Sequence, residues 1–246
     1  MIDAMIGNRF LNALILVGAA SSLSACGSIV PSANAPSQAG TERVYAPSAT
    51  PVTSARPSPI LRAEDQSCIA NLGQSGARFD LLPDRYTGPG CSTLGAVQLS
   101  ALTGDTAQFQ VTNLGPVQCQ VANAFTAWAR FGVDRAARQI LGSPLARIET
   151  MGSYACRNVA GSNRRSAHAR AEAVDVSGFV LEDGRRITLT DDWDDGTRAE
   201  KEFLRVIQAS ACRRFGTVLG PDYNRAHEDH FHLEGTLSPS ETGFCR

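Results

Sequence analysis

Ala173-Val174-Asp175-Val176-Ser177-Gly178-Phe179-Val180-Leu181, then Glu182-Asp183-Gly184-Arg185, then Ile187-Thr188-Leu189-Thr190, is the stretch that decides the fold. Two strand-like segments flank an Asp-Gly pair, which supplies the positive-φ turn that a hairpin prefers. Leu145 to Met151 and His230 to Glu234 add two more short candidate strands. Upstream, Gln118 to Ile140 reads as helical: Val121, Phe125 and Trp128 recur on one face with Ala122 and Ala129 beside them, and Gly132 offers a point where the run could divide. Downstream, Thr197 stands three residues before Glu200, the reciprocal capping pattern, ahead of Phe203, Leu204, Val206 and Ile207. That helix should end near Cys212. Helices early and late around a short sheet indicate an α+β domain, with a small antiparallel sheet packed against helices.

The chain has 246 residues with 43% hydrophobic composition, enough for a real core. Its 23 Lys plus Arg nearly balance 24 Asp plus Glu, so no field gathers nucleic acid and none is expected as a partner. At the start, Arg9 precedes the apolar run Phe10 to Ala20, too short for comfortable permanent spanning, which takes roughly 20 apolar residues. The run meets Leu23-Ser24-Ala25-Cys26-Gly27, which resembles a bacterial lipoprotein signal. That resemblance implies removal of residues 1–25, acylation of Cys26 and a membrane anchor facing the periplasm, and Gly27 in the next position hints at an outer membrane. A plain secretory leader is the alternative, and both readings export the protein. Residues 26–60 hold six of the chain's 12 prolines amid Ser, Ala and Thr, so they read as a disordered tether whose root-mean-square span is roughly 30 Å. Residues 61–246 are then the globular domain.

Export changes what cysteines do, because thiols outside the cytoplasm can stay oxidised. With Cys26 acylated, Cys68, Cys91, Cys119, Cys156, Cys212 and Cys245 remain, an even set suited to three disulfides of undetermined pairing. None of them has the close C-x-x-C spacing of zinc-binding cysteines.

The four histidines fall at 168, 227, 230 and 232. In His230-Phe231-His232-Leu233-Glu234, strand alternation puts His230, His232 and Glu234 on one face and Phe231 and Leu233 on the other. In the other half, a loop His168 precedes Asp175, which sits between Val174 and Val176. A carboxylate among buried neighbours needs a partner or a metal. Two imidazoles and a carboxylate with an open fourth position make the kind of site that activates water on zinc.

Ser166, His168, Ala173 and Asp175 resemble the Ser-x-His-x-x-Gly-x-Ala-x-Asp element of the metallopeptidases related to lysostaphin, D-alanyl-D-alanine carboxypeptidase and hedgehog. The departure is Ala171 where that pattern has glycine. The run from Gly152-Ser153-Tyr154-Ala155-Cys156-Arg157 through Val218-Leu219-Gly220-Pro221-Asp222-Tyr223-Asn224 to His230-Phe231-His232 is similar to the extensin-like C-terminal domain of exported bacterial proteins. The resemblance implies zinc ligands His168, Asp175 and His232, with Ser166 orienting a ligand from behind. It implies a general base at Asp229, as in the carboxypeptidase branch, or at His230, as in the lysostaphin branch, and strand geometry favours His230. Arg157 would stabilise charge on the tetrahedral intermediate, or else is an exposed loop residue. Together these expectations describe a zinc hydrolase acting on peptidoglycan peptides. The rival is a wall-binding or envelope-organising lipoprotein whose site is closed by a fourth protein ligand. Tyr223 and Asn224 either contact substrate beside the metal element or form the turn after Pro221, and His227 reads as a surface residue.

Overall fold

The computed structural model describes residues 63–237 and 241–246. The expected leader, the expected acylation site Cys26 and the expected tether lie outside them. Among the described residues, no helix is long and apolar enough to cross a membrane.

Helix α1 (Ala63–Gln74) leads into strands β1 (Arg78–Leu81), β2 (Tyr86–Gly88), β3 (Cys91–Ser92), β4 (Ala96–Thr103), β5 (Gln108–Thr112) and β6 (Val117–Gln118). Helix α2 (Cys119–Trp128) continues through two π-helical stretches, Ala129–Asp134 and Ala137–Leu141, and Gly142 in the left-handed region ends the run. Then come β7 (Leu145–Gly152), β8 (Ala173–Leu181), β9 (Arg186–Thr188), the single turn α3 (Leu189–Asp192), α4 (Arg198–Ala211), β10 (Thr217–Leu219), β11 (Phe231–Glu234) and β12 (Phe244–Cys245).

The α+β expectation holds at that level, but the sheet is neither small nor wholly antiparallel. Its ten strands run in the order β1-β4-β5-β7-β8-β11-β10-β12, with β6 on β4 and β9 on β8, while β2 and β3 form a separate pair. The β5–β7 and β10–β12 pairs are parallel. Parallel neighbours need a long crossover, and α2 with its π-helical extension provides it between β5 and β7.

Gly132 does not divide the helical run. A Cβ there would come within 2.5 Å of Ser210 Oγ, so the glycine admits α4 at close range. Packing follows from that approach: Trp128 Nε1 donates to the Ile207 carbonyl at 2.9 Å, and Trp128, Phe179 and Phe203 meet edge to face. Each of these fully buried rings contributes about 1.5–3 kcal/mol. The capping box at Thr197 and Glu200 is present, and α4 ends at Ala211 with Cys212 as its cap. The hairpin closes where expected, with Leu181 N–H donating to the Arg185 carbonyl and Gly184 at φ 89°. Three disulfides pair Cys68 with Cys119, Cys91 with Cys156 and Cys212 with Cys245.

Register positions the site. β11 pairs with β8 so that Phe231 faces Val176 and Leu233 faces Val174, while His232 faces Asp175 and Glu234 faces Ala173. Paired residues share a face. The valines, Phe231 and Leu233 therefore enter the core, and Asp175, His232 and Glu234 project from the opposite side.

Candidate metal centre

His168 sits on a 3-10 turn (Ala167–Arg170) that stops at Ala171, whose φ of 57° and ψ of 28° are left-handed. Glycine adopts that conformation without strain, and this is the position where the metallopeptidase pattern has it. The turn is held from both sides. Ala155 N–H donates to the His168 carbonyl at 3.0 Å, and Gly235 N–H donates to the Glu172 carbonyl at 2.8 Å. The loop carrying Ser153 and Ala155 is clamped by the Cys91–Cys156 disulfide and by Arg165 donating to the Pro89 carbonyl at 3.0 Å.

These elements bring one ligand atom each from His168, Asp175 and His232 to within 4.8 Å of one another. His168 Nε2 lies 3.1 Å from His232 Nδ1 and 3.2 Å from Asp175 Oδ2, and His232 Nδ1 lies 2.9 Å from Asp175 Oδ1. Zinc bonds of about 2.0–2.1 Å at tetrahedral angles would separate ligand atoms by about 3.3 Å. The three separations are close to that edge length.

The outward nitrogens decide the tautomers. His168 Nδ1 lies 2.5 Å from the Ser153 carbonyl, which only accepts, so Nδ1 carries the proton and Nε2 faces inward with its lone pair. His232 Nε2 lies 3.1 Å from Glu234 Oε2, which leaves Nδ1 as its inward atom. Two lone pairs and a carboxylate thus converge beside buried rings, an arrangement that could hold a cation. In the metal-free protein a proton takes that part. Burial opposes charge on His232, yet its bonds to Asp175 and Glu234 outweigh burial and push its pKa up to about 9. Burial likewise disfavours the Asp175 carboxylate, but His168 and His232 hold its pKa well below the usual range. The bond from His232 also lowers the Glu234 pKa.

His230 lies just before β11, 9% exposed, with Nδ1 2.7 Å from Asp229 Oδ1 and Nε2 3.6 Å from Asp175 Oδ1. Asp229 itself points outward, its side chain 46% exposed, and reaches the centre only through the His230 ring. Arg157 is exposed, close enough to act electrostatically on His227. Ser166 is buried, but the atom that orients His168 is the Ser153 carbonyl; Ser166 instead donates its N–H to the Arg157 carbonyl and accepts from Ala169 N–H.

Two contributors escaped the sequence reading. Glu234 was placed on the correct face without a role, although strand neighbours two apart can touch. Ser153 acts through a backbone oxygen, for which no sequence signal exists. His227 also differs from the surface residue expected: it is partly buried, with ring centroids 5.2 Å from His230 and 5.8 Å from His232. Burial, then the neighbouring His230 and His232, lower its pKa to about 4.

Residues 66–246 match the family model described as extensin-like protein C-terminus. No curated protein and no solved structure matches the chain.

Proposed function

The chain belongs to the extensin-like protein C-terminus family, and from that premise we propose that it is an exported, lipid-anchored, zinc-dependent hydrolase of peptidoglycan peptides. The observation that carries the proposal is the convergence of His168 Nε2, His232 Nδ1 and the Asp175 carboxylate, with both rings held from outside by Ser153 and Glu234. A zinc ion held by these three residues supplies a Lewis acid for the scissile carbonyl and a water of lowered pKa. His230, tied to Asp229 through Nδ1, presents a bare Nε2 that takes up a proton during hydrolysis and returns it to the departing amine. Arg157, on the loop that also orients His168, brings positive charge to the rim, where it offsets charge developing on the carbonyl oxygen. The likeness of the Ser166 to Asp175 element to lysostaphin-type and D-alanyl-D-alanine carboxypeptidase-type enzymes supports peptide hydrolysis. Acylation at Cys26, with residues 26–60 as tether, would hold the domain beside the wall.

One observation favours a second reading, a wall-binding lipoprotein with a closed structural metal site. His230 has the same outer carboxylate support as His232, and its Nε2 lies only 3.6 Å from Asp175 Oδ1, within reach of becoming a fourth ligand. X-ray absorption on the zinc-loaded domain separates the two, since the hydrolase holds two histidines and the closed site three. The functional test is digestion of soluble muropeptides released from purified sacculi, with chromatography of the products. New peptide termini that disappear in Asp175→Ala are expected. Stoichiometric zinc with no cleaved fragment would sink the hydrolase.

A further inference from the structure

We infer that His227 is a substrate-contacting residue whose Nε2 accepts an amide N–H of the peptide lying across the metal centre. The inference rests on the peptide-directed reading above and adds a residue to it.

Asn224 fixes the chemistry of this ring. Its Oδ1 accepts the Ala226 N–H at 3.0 Å, which identifies that atom as the carbonyl oxygen, not the amide nitrogen. The same oxygen lies 2.8 Å from His227 Nδ1. A carbonyl oxygen cannot donate, so Nδ1 carries the proton and Nε2 of the neutral ring is a bare acceptor. Among the described residues, no donor is hydrogen-bonded to that nitrogen. The ring is also braced in place: Tyr223 meets it edge-on at 5.5 Å, and Tyr223 in turn abuts Phe244 at 6.0 Å. Such an oriented acceptor beside a metal centre suits a substrate that brings N–H groups. Its centroid distances of 5.2 Å to His230 and 5.8 Å to His232 correspond to one or two residues of extended chain, at about 3.3–3.6 Å each. The N–H it would receive therefore belongs to a residue next to the bond being cut, and Asn224 is the positioning residue that holds the acceptor towards it.

The test uses zinc-loaded, 15N-labelled protein and soluble muropeptides from purified sacculi. Ring nitrogen shifts should report the Nδ1–H tautomer of His227, with the Nε2 resonance moving on muropeptide addition. Loss of one hydrogen bond worth about 1 kcal/mol makes binding and KM roughly fivefold worse in His227→Ala, with kcat nearly unchanged. His227→Gln, whose amide can place an acceptor near the Nε2 position, should recover most of the loss, and both variants should keep one zinc per chain. An Nε2–H tautomer, an unchanged Kd in His227→Ala, or zinc lost from that variant would overturn the assignment. Muropeptides bound through His227 but never cleaved would remove the hydrolase and leave this assignment standing. An unchanged kcat/KM in His227→Ala would do the reverse, and wild-type protein that neither binds nor cleaves muropeptides would end both.

Discussion

Replacing Glu234 tests the tautomer argument directly. Its carboxylate holds the proton of His232 at Nε2 across 3.1 Å and so keeps Nδ1 free to bind. Removing a partner of this kind typically weakens metal affinity 10- to 100-fold, which is about 1.4–2.8 kcal/mol. The Glu234 side chain is 42% exposed, so solvent screening places Glu234→Ala near the lower end, about tenfold. Glu234→Gln retains an acceptor without the charge and should cost less. Should its amide turn NH2 towards the ring, Nδ1 becomes the protonated nitrogen and the cost rises. Competition with a chromophoric zinc chelator measures the Kd, and Glu202→Gln, exposed on α4, controls for net charge. A folded Glu234→Ala protein that binds zinc within twofold of wild type would show that Glu234 does not select the tautomer.

Three further outcomes follow from the same geometry. Because the His232 pKa is raised to about 9 in the metal-free protein, its imidazolium stabilises the fold fully below about pH 6.5, and that contribution disappears as pH rises through about 9. Thermal melts of metal-free protein should therefore lose up to about 3 kcal/mol across that window, and zinc binding near pH 7.5 should release about one proton, read by calorimetry in buffers of different ionisation heat. Ala171→Gly relieves left-handed strain of about 1–2 kcal/mol but gives up a buried methyl and gains unfolded-state entropy, so stability should stay within about 1 kcal/mol; Ala171→Val, branched at a fully buried site, should lose more than about 2 kcal/mol in urea denaturation. Opening the Cys91–Cys156 bridge in the Cys91→Ser, Cys156→Ser double variant frees a 65-residue separation, about 4 kcal/mol by loop entropy, and should weaken zinc binding because the bridged loop carries Ser153. Unaltered zinc affinity in that folded variant would show that the loop holds itself in place.

The C-terminal half was legible because its signals are local. Asp183-Gly184 sets the hairpin, Thr197 and Glu200 set the start of α4, and the alternation of Phe231, His232 and Leu233 sorts candidate ligand from core within one strand. The N-terminal strands were harder. β4 carries Ala101 where alternation from Val97 and Leu99 would have a buried large residue, and buries Leu102 instead, although Gln108-Phe109-Gln110-Val111 alternates cleanly and could have been found. Strand order depends on long-range choices, and the parallel β5–β7 pair follows from how the helical crossover packs. No short motif records that. At the centre, the inward atoms were legible as residue types, whereas the atoms that aim them include a main-chain oxygen at Ser153. The left-handed backbone at Ala171 has no signal in its residue type for a related reason: an alanine side chain disfavours that conformation, and the hydrogen bonds of its neighbours override the preference.

The position of β11 between β8 and β10 bears on how the protein comes into being. Asp175 and His232 are 57 residues apart in sequence, and the neighbouring imidazoles of His227 and His230 come only just ahead of β11. A chain emerging from the ribosome therefore carries His168 and Asp175 without His232 until β11 arrives. On the proposed zinc reading, tight cation capture would begin only when that strand has slotted into the sheet, and metal uptake would report that folding has passed β11. On the same reading, a truncated product lacking it would be short of one of the three proposed ligands.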